Sequence, residues 1–134
     1  MFIDASALVA ILCAETGYVT LADHLRSSGR PITSAFAIFE TVMALSRKNG
    51  LSVEDGETEV RRFLVSAGIA IVAIADDESQ AALAAHARFG KGRGHPAQLN
   101  MGDCFAYACA RTHDVPLLFV GDDFPRTDIR LATV

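Results

Sequence analysis

Five acidic side chains, scattered from one end of the chain to the other, are the residues whose type and spacing point to chemistry. They are Asp4 in FIDASALVA, Glu40 in ITSAFAIFETVMAL, Asp103 in LNMGDCFAYACA, and Asp122 with Asp123 in PLLFVGDDFPRTDI. Each stands beside a run of apolar residues. Removing water from an unpaired carboxylate costs on the order of several kcal/mol. A bound divalent cation offsets such a cost. Hard cations such as Mg2+ and Mn2+ take oxygen ligands, usually one or two carboxylates completed by water and substrate phosphate. The pattern therefore suggests an acidic metal pocket built by folding.

Taken singly, most of these acids have a plainer explanation. Asp4 fits the N-cap of a helix, a position that Asp fills well. Asp103 fits a helix start, where the dipole favours a negative charge. Asp122 and Asp123 follow Gly121 and fit an ordinary turn. Glu40 is harder to explain that way. Phe36 lies four residues before it on the same helical face, and Ile38, Phe39, Val42 and Met43 surround it in sequence. A solvated face rarely keeps such company, and four coincidences together are less expected than one.

The elements that must position these acids alternate along the chain. Residues 1–4 read as a short buried strand ended by Asp4, and 5–14 continue as a helix. A second helix fits 20–28, closed by Gly29, and Pro31-Ile32-Thr33 suggests a second strand. Ser34 is placed to cap a helix over 35–49 that stops at Gly50. Over 52–66, Glu54, Asp55, Glu57 and Glu59 fall on a solvent face while Val53, Val60, Phe63 and Leu64 form an apolar stripe. Residues 68–75, GIAIVAIA, read as a buried strand, 77–90 and 101–113 as helices, and 116–120, PLLFV, as another buried strand. The tail 129–134 reads as a final edge strand. Apolar strands without period-two patterning have both faces covered, so the expected architecture is an α/β/α sandwich with a mainly parallel central sheet. In such sheets ligands sit beyond the carboxyl ends of the strands. Asp4, Asp103 and the Asp122–Asp123 pair all occupy strand-end or helix-start positions of that kind.

Composition bounds the rest. With 134 residues, 51% of them hydrophobic, the chain suits a single domain, 1–134, with one well-buried core. No apolar stretch reaches the roughly 20 residues that a bilayer span needs. The start, MFIDAS, has no basic segment ahead of an apolar one, so a secretory signal is not expected. Cys13, Cys104 and Cys109 are odd in number and lack CxxC spacing, which fits small buried side chains in a reducing cytoplasm rather than a disulfide or zinc site. The net charge of −4 argues against whole-surface nucleic-acid binding. A local patch is still available. Arg88, Lys91, Arg93 and His95 gather in and beside the Gly-rich loop GKGRGHPAQLN, just before Asp103. They make either a solvated loop or a cationic rim suited to a phosphodiester backbone. Arg47, Lys48, Arg61 and Arg62 could extend such a rim.

The chain resembles the PIN-domain ribonucleases, specifically the short bacterial toxins of the VapC type, over essentially its whole length. The resemblance rests on four motifs in order: FIDASALVAIL, TSAFAIFETVMAL with its mid-helix Glu, FGKGRGHPAQLNMGDCFAYACA, and PLLFVGDDFPRTDI. It implies a Mg2+- or Mn2+-dependent endoribonuclease whose acidic centre is Asp4, Glu40 and Asp103. A fourth acid follows the last buried strand in that family, often within T-x-D-x-D-F. Here Gly121 stands where the first Asp of that pattern would be. Alignment on Phe124 points to Asp123 as the fourth ligand, while reach from the strand end permits Asp122. Ser6 matches a hydroxyl position that would orient Asp4 or a water. The resemblance also implies a VapB-type antitoxin partner, an RNA substrate, a homodimer that can enter a toxin–antitoxin hetero-oligomer, and action in the cytoplasm.

Rival readings fit less well. Haloacid-dehalogenase-like phosphatases also place an Asp after the first strand, but their D-x-D-x-T start is broken here by Ser6 and Leu8. A receiver domain needs a Lys near its last strand, and no Lys follows Lys91. A catalytically inactive PIN-like binding module is favoured only by the Gly121 departure.

Overall fold

Successive side chains of a strand point to opposite faces of its sheet, and two strands of only two residues exploit this fully. In β1 (Phe2–Ile3) and β4 (Leu117–Leu118) all four side chains are buried. Phe2 and Leu117 enter a core on one face, and Ile3 and Leu118 enter a second core on the other. The computed structural model describes residues 1–132. Helices α5 (Asp76–Phe89) and α6 (Met101–Thr112) cover the first face. Helices α1 (Ala5–Leu12), α2 (Tyr18–Ser27), α3 (Ala35–Asn49) and α4 (Val53–Ser66) build the second core. The expected α/β/α sandwich is the observed one.

The sheet has the order β3-β2-β1-β4 and every pairing is parallel, with β2 at Ile32–Ser34 and β3 at Ala70–Val72. The chain steps outward from β1 to β2 to β3, then returns to lay β4 on the free side of β1. The strand order therefore reverses between β1 and β4. A crevice opens beyond the carboxyl ends of strands at such a reversal, and α/β sheets bind ligands there.

Local chemistry sets the element boundaries. Ser34 accepts a bond from the Ala37 N–H (3.2 Å) and starts α3, and Gly50 closes it at φ +65°, where a side chain would be strained. Ser52 caps α4 through the Asp55 N–H (3.0 Å). The buried Thr33 hydroxyl donates to the Ile3 carbonyl (2.9 Å) and so is itself paired between β1 and β2. Cys104 and Cys109 are buried, Cys13 is half-buried, and all three are free thiols.

Three expectations need correction. The strand in GIAIVAIA covers only Ala70–Val72 and is not fully buried. It is the sheet's outer edge, and Ile71 is 50% exposed there. Val53, the first residue of α4, leaves the apolar stripe and is 50% exposed, while Gly56, Val60 and Leu64 are buried. The tail makes a single bridge, Leu117 to Leu131, rather than a strand, and its last two residues lie outside the described ones.

Candidate active site

Asp4 leaves β1 at the reversal point. Its N–H donates to the Leu118 carbonyl (3.0 Å), which seats it between the ends of β1 and β4. Its carboxylate oxygen Oδ2 accepts from the Ser6 N–H (3.0 Å) and from the Ser6 hydroxyl. The same hydroxyl accepts a bond from the Val120 N–H (3.0 Å). Ser6 thus clamps the start of α1 to the loop after β4. Asp4 is indeed an N-cap, but it is also a buried carboxylate, and burial pushes its pKa above the usual range against the opposing pull of the Ser6 and Ala5 bonds.

Glu40 lies in the second turn of α3, half-buried. Phe36, one turn earlier, stacks on Phe105 of α6 at 5.5 Å between ring centres, and so fixes how α3 meets α6. Burial pushes the Glu40 carboxyl up to about 7, with repulsion from Asp4 and from Asp103 adding to it. Gly102, the second residue of α6, makes this approach possible. A Cβ on it would stand 2.2 Å from Glu40 Oε2 and 2.6 Å from Oε1.

Asp103 closes a reciprocal pair at the start of α6. Its carboxylate accepts from the Asn100 N–H (3.0 Å), and the Asn100 side chain accepts from the Asp103 N–H (2.8 Å). The candidate site residue is therefore also part of the helix cap. Burial pushes its carboxyl up to about 6. The Asn100 bond pulls it down, and the charges of Asp4 and Asp123 push it up.

The two acids after β4 differ. Asp123 is half-buried and its charge acts on Asp103, whereas Asp122 is exposed and is not among the charges acting on Asp4, Glu40 or Asp103. Gly121 adopts φ +122°, a conformation that side chains rarely tolerate, which accounts for glycine at that point of the motif. Asp4, Glu40, Asp103 and Asp123 thus form one charge-coupled group drawn from four separate elements. Among the described residues no ion pair involves any of them, and no three His, Cys, Asp or Glu side chains stand ready to hold an ion unaided. The donor set is oxygen-only and unneutralised, which suits a hard cation whose shell is completed by water and phosphate.

The basic residues of the loop divide. Arg88 donates to Asp128 (3.1 Å) and lies over the Phe89 ring at 4.5 Å. His95 accepts from the Ala97 N–H (3.1 Å) and sets its ring edge against Phe89. Both have structural partners. Lys91 and Arg93 are exposed and make no ion pair among the described residues. Arg61 pairs with Glu57 (2.8 Å), Arg62 is exposed, and Arg47 and Lys48 line a cavity of about 460 Å³ that also includes Glu40 and Ser6. Sequence reasoning missed Gly102, whose only signal was a small residue directly before Asp103.

The family model described as PIN domain matches residues 1–130. A VapC ribonuclease of Mycobacterium bovis is 39% identical over 132 residues, covering 98% of each chain. Ribonuclease VapC of Mycolicibacterium smegmatis is 40% identical over 96% of this chain and 97% of its own. Among solved structures, the Mycobacterium tuberculosis toxin VapC20, described as cleaving the sarcin–ricin loop, superposes with a TM-score of 0.75 at 19% identity, over 96% of this chain and 95% of its own.

Proposed function

The chain belongs to the PIN domain family, and on that premise we infer that it is a VapC-type toxin ribonuclease, a metal-dependent endoribonuclease that hydrolyses RNA phosphodiester bonds. The observation that carries this reading is the coupling of Asp4, Glu40, Asp103 and Asp123 at the sheet's reversal point, none of them in an ion pair among the described residues.

Asp4, Glu40, Asp103 and Asp123 would hold Mg2+ or Mn2+. When bound, such a cation would neutralise the scissile phosphate and acidify a water for attack at phosphorus. The chain's own residues do the rest. Ser6 holds the Asp4 carboxylate in one orientation while bracing the loop that carries Asp123. The Asn100 N–H keeps Asp103 aimed from the helix start. Glu40 and Asp103, whose carboxyls are pushed up to about 7 and about 6, are the two groups suited to accept a proton near neutral pH. A VapB-type antitoxin, a homodimeric state and a cytoplasmic site of action complete the reading.

The test is cleavage of a mixed structured RNA pool by purified, antitoxin-free protein with Mg2+, Mn2+ or EDTA, alongside Asp103→Asn. A carboxamide oxygen still accepts the Asn100 N–H, so the helix start survives the change. Cleavage that needs metal and disappears in the variant is expected. Cleavage that persists in EDTA or in the variant overturns the reading.

A further inference from the structure

From the face of α3 beside the acidic centre, we propose that single-stranded RNA leaves the cut site along a track on which a base stacks on Phe39 and the next phosphate is held by Arg47 and Lys48, with Glu15 as a built-in competitor for that phosphate. The proposal rests on the nuclease reading and adds a substrate subsite to it.

Three observations converge. The cavity of about 460 Å³ is bounded at one end by Glu40 and at the other by Arg47 and Lys48. Glu40, Met43 and Arg47 follow at helical spacing, so one face of α3 passes from acid through apolar surface to base. Along the helix axis, Arg47 lies about 10 Å beyond Glu40, too far to serve the phosphate being cut but suited to a flanking one.

The middle of the track is apolar and open. Phe39 is 67% exposed and Met43 45% exposed, and both line the cavity. Single-stranded nucleic acids bind through this pairing of cationic groups with an aromatic platform, since every base offers a stacking face. A protein docking surface would also use Phe39, but it gains nothing from a graded run of acid, apolar and basic groups that begins at a catalytic centre.

Glu15 gives the track its distinctive feature. The Lys48 ammonium pairs with the Glu15 carboxylate across the cavity rim (2.5 Å), while Arg47 makes no ion pair among the described residues. A phosphate reaching Lys48 must displace Glu15, so the pair weakens RNA binding in the wild type.

The experiment is steady-state cleavage of the mixed RNA pool with Mn2+ by Phe39→Ala, Arg47→Ala and Glu15→Gln, with sedimentation of each variant. Phe39→Ala should raise KM about five-fold or more, with kcat changed less than about two-fold. Arg47→Ala should raise KM and lower its salt slope by about one. Glu15→Gln should lower KM, an outcome that general structural damage does not produce. KM unchanged in Phe39→Ala and Arg47→Ala, or raised in Glu15→Gln, overturns the track while leaving the nuclease standing. If Phe39→Ala alters only the sedimentation profile, the face serves a protein contact and the track is rejected. A wild type that cleaves nothing with Mg2+ or Mn2+ overturns the nuclease reading itself, and the track with it.

Discussion

Glu40 of α3 and Gly102 of α6 are packed so closely that only a hydrogen fits at the Gly102 side-chain position, because a Cβ there would stand 2.2 Å from Glu40 Oε2. The glycine admits the carboxylate to the start of α6, next to Asp103. Gly102→Ala should therefore leave the fold intact but move Glu40 aside. A 1 Å misplacement of a catalytic group costs on the order of 100-fold in rate, and a loss of that order is expected, with weaker Mn2+ binding by calorimetry. Unchanged activity and Mn2+ affinity in a folded variant would show that the contact has no catalytic role.

The two acids after β4 should behave unequally. Asp123 is half-buried and acts on Asp103, whereas Asp122 is exposed. Asp123→Asn is expected to lower kcat by about 10-fold or more, as losing one carboxylate or its supporting partner does at metal sites. Asp122→Asn is expected to stay within about two-fold of wild type. The reverse ranking in parallel cleavage assays would reassign the fourth acid.

Stability should depend on pH in a definite direction. The Glu40 carboxyl rises from an ordinary 4.5 to about 7 on folding, and Asp103 from 3.8 to about 6. The native state therefore holds these protons more tightly than the unfolded chain. The stability this confers is complete below pH 4 and is lost as pH rises through 4 to 7. Both groups are partly exposed, so solvent screening reduces the effect to on the order of 1 kcal/mol. In EDTA, Tm should fall by several degrees between pH 5 and pH 8, and saturating Mn2+ should remove most of that fall. A Tm that rises over this interval in EDTA contradicts the coupling.

Gly56 offers a stabilising change away from the site. It lies within α4, buried against Val42, and a Cβ there would meet Val42 Cγ1 at an ordinary 3.5 Å. Gly56→Ala should add about 0.5–1 kcal/mol by reducing the freedom of the unfolded chain. Thermal melts should show Tm up by a few degrees with RNA cleavage unaffected, and a lower Tm would mean the packing against Val42 is tighter than it looks.

The sequence exposed the acids because each broke a local rule. Glu40 interrupts an apolar helix face, and Asp4 and Asp103 stand at strand-end or helix-start positions that a parallel sheet brings to one edge. Strand lengths were less legible, because GIAIVAIA is apolar throughout yet only Ala70–Val72 pairs, at the sheet's outer edge, where Ile71 is half exposed. The basic loop was legible as charge but not as geometry. Arg88 is taken by Asp128, forty residues away, and no local pattern announces such a partner. Gly102 was unreadable for a similar reason, since its importance lies in what a distant helix puts beside it.

The clamp made by Ser6 joins the first strand to the last. Asp4 needs the Leu118 carbonyl and Ser6 needs the Val120 N–H, so the residues that fix the first acid are synthesised well over a hundred positions after it. At roughly 5–20 residues per second, a growing chain spends most of its time on the ribosome with Asp4 held only by its neighbour Ser6. The acidic centre therefore stays incomplete until β4 lies beside β1, because the loop that follows β4 brings both the Val120 N–H and Asp123.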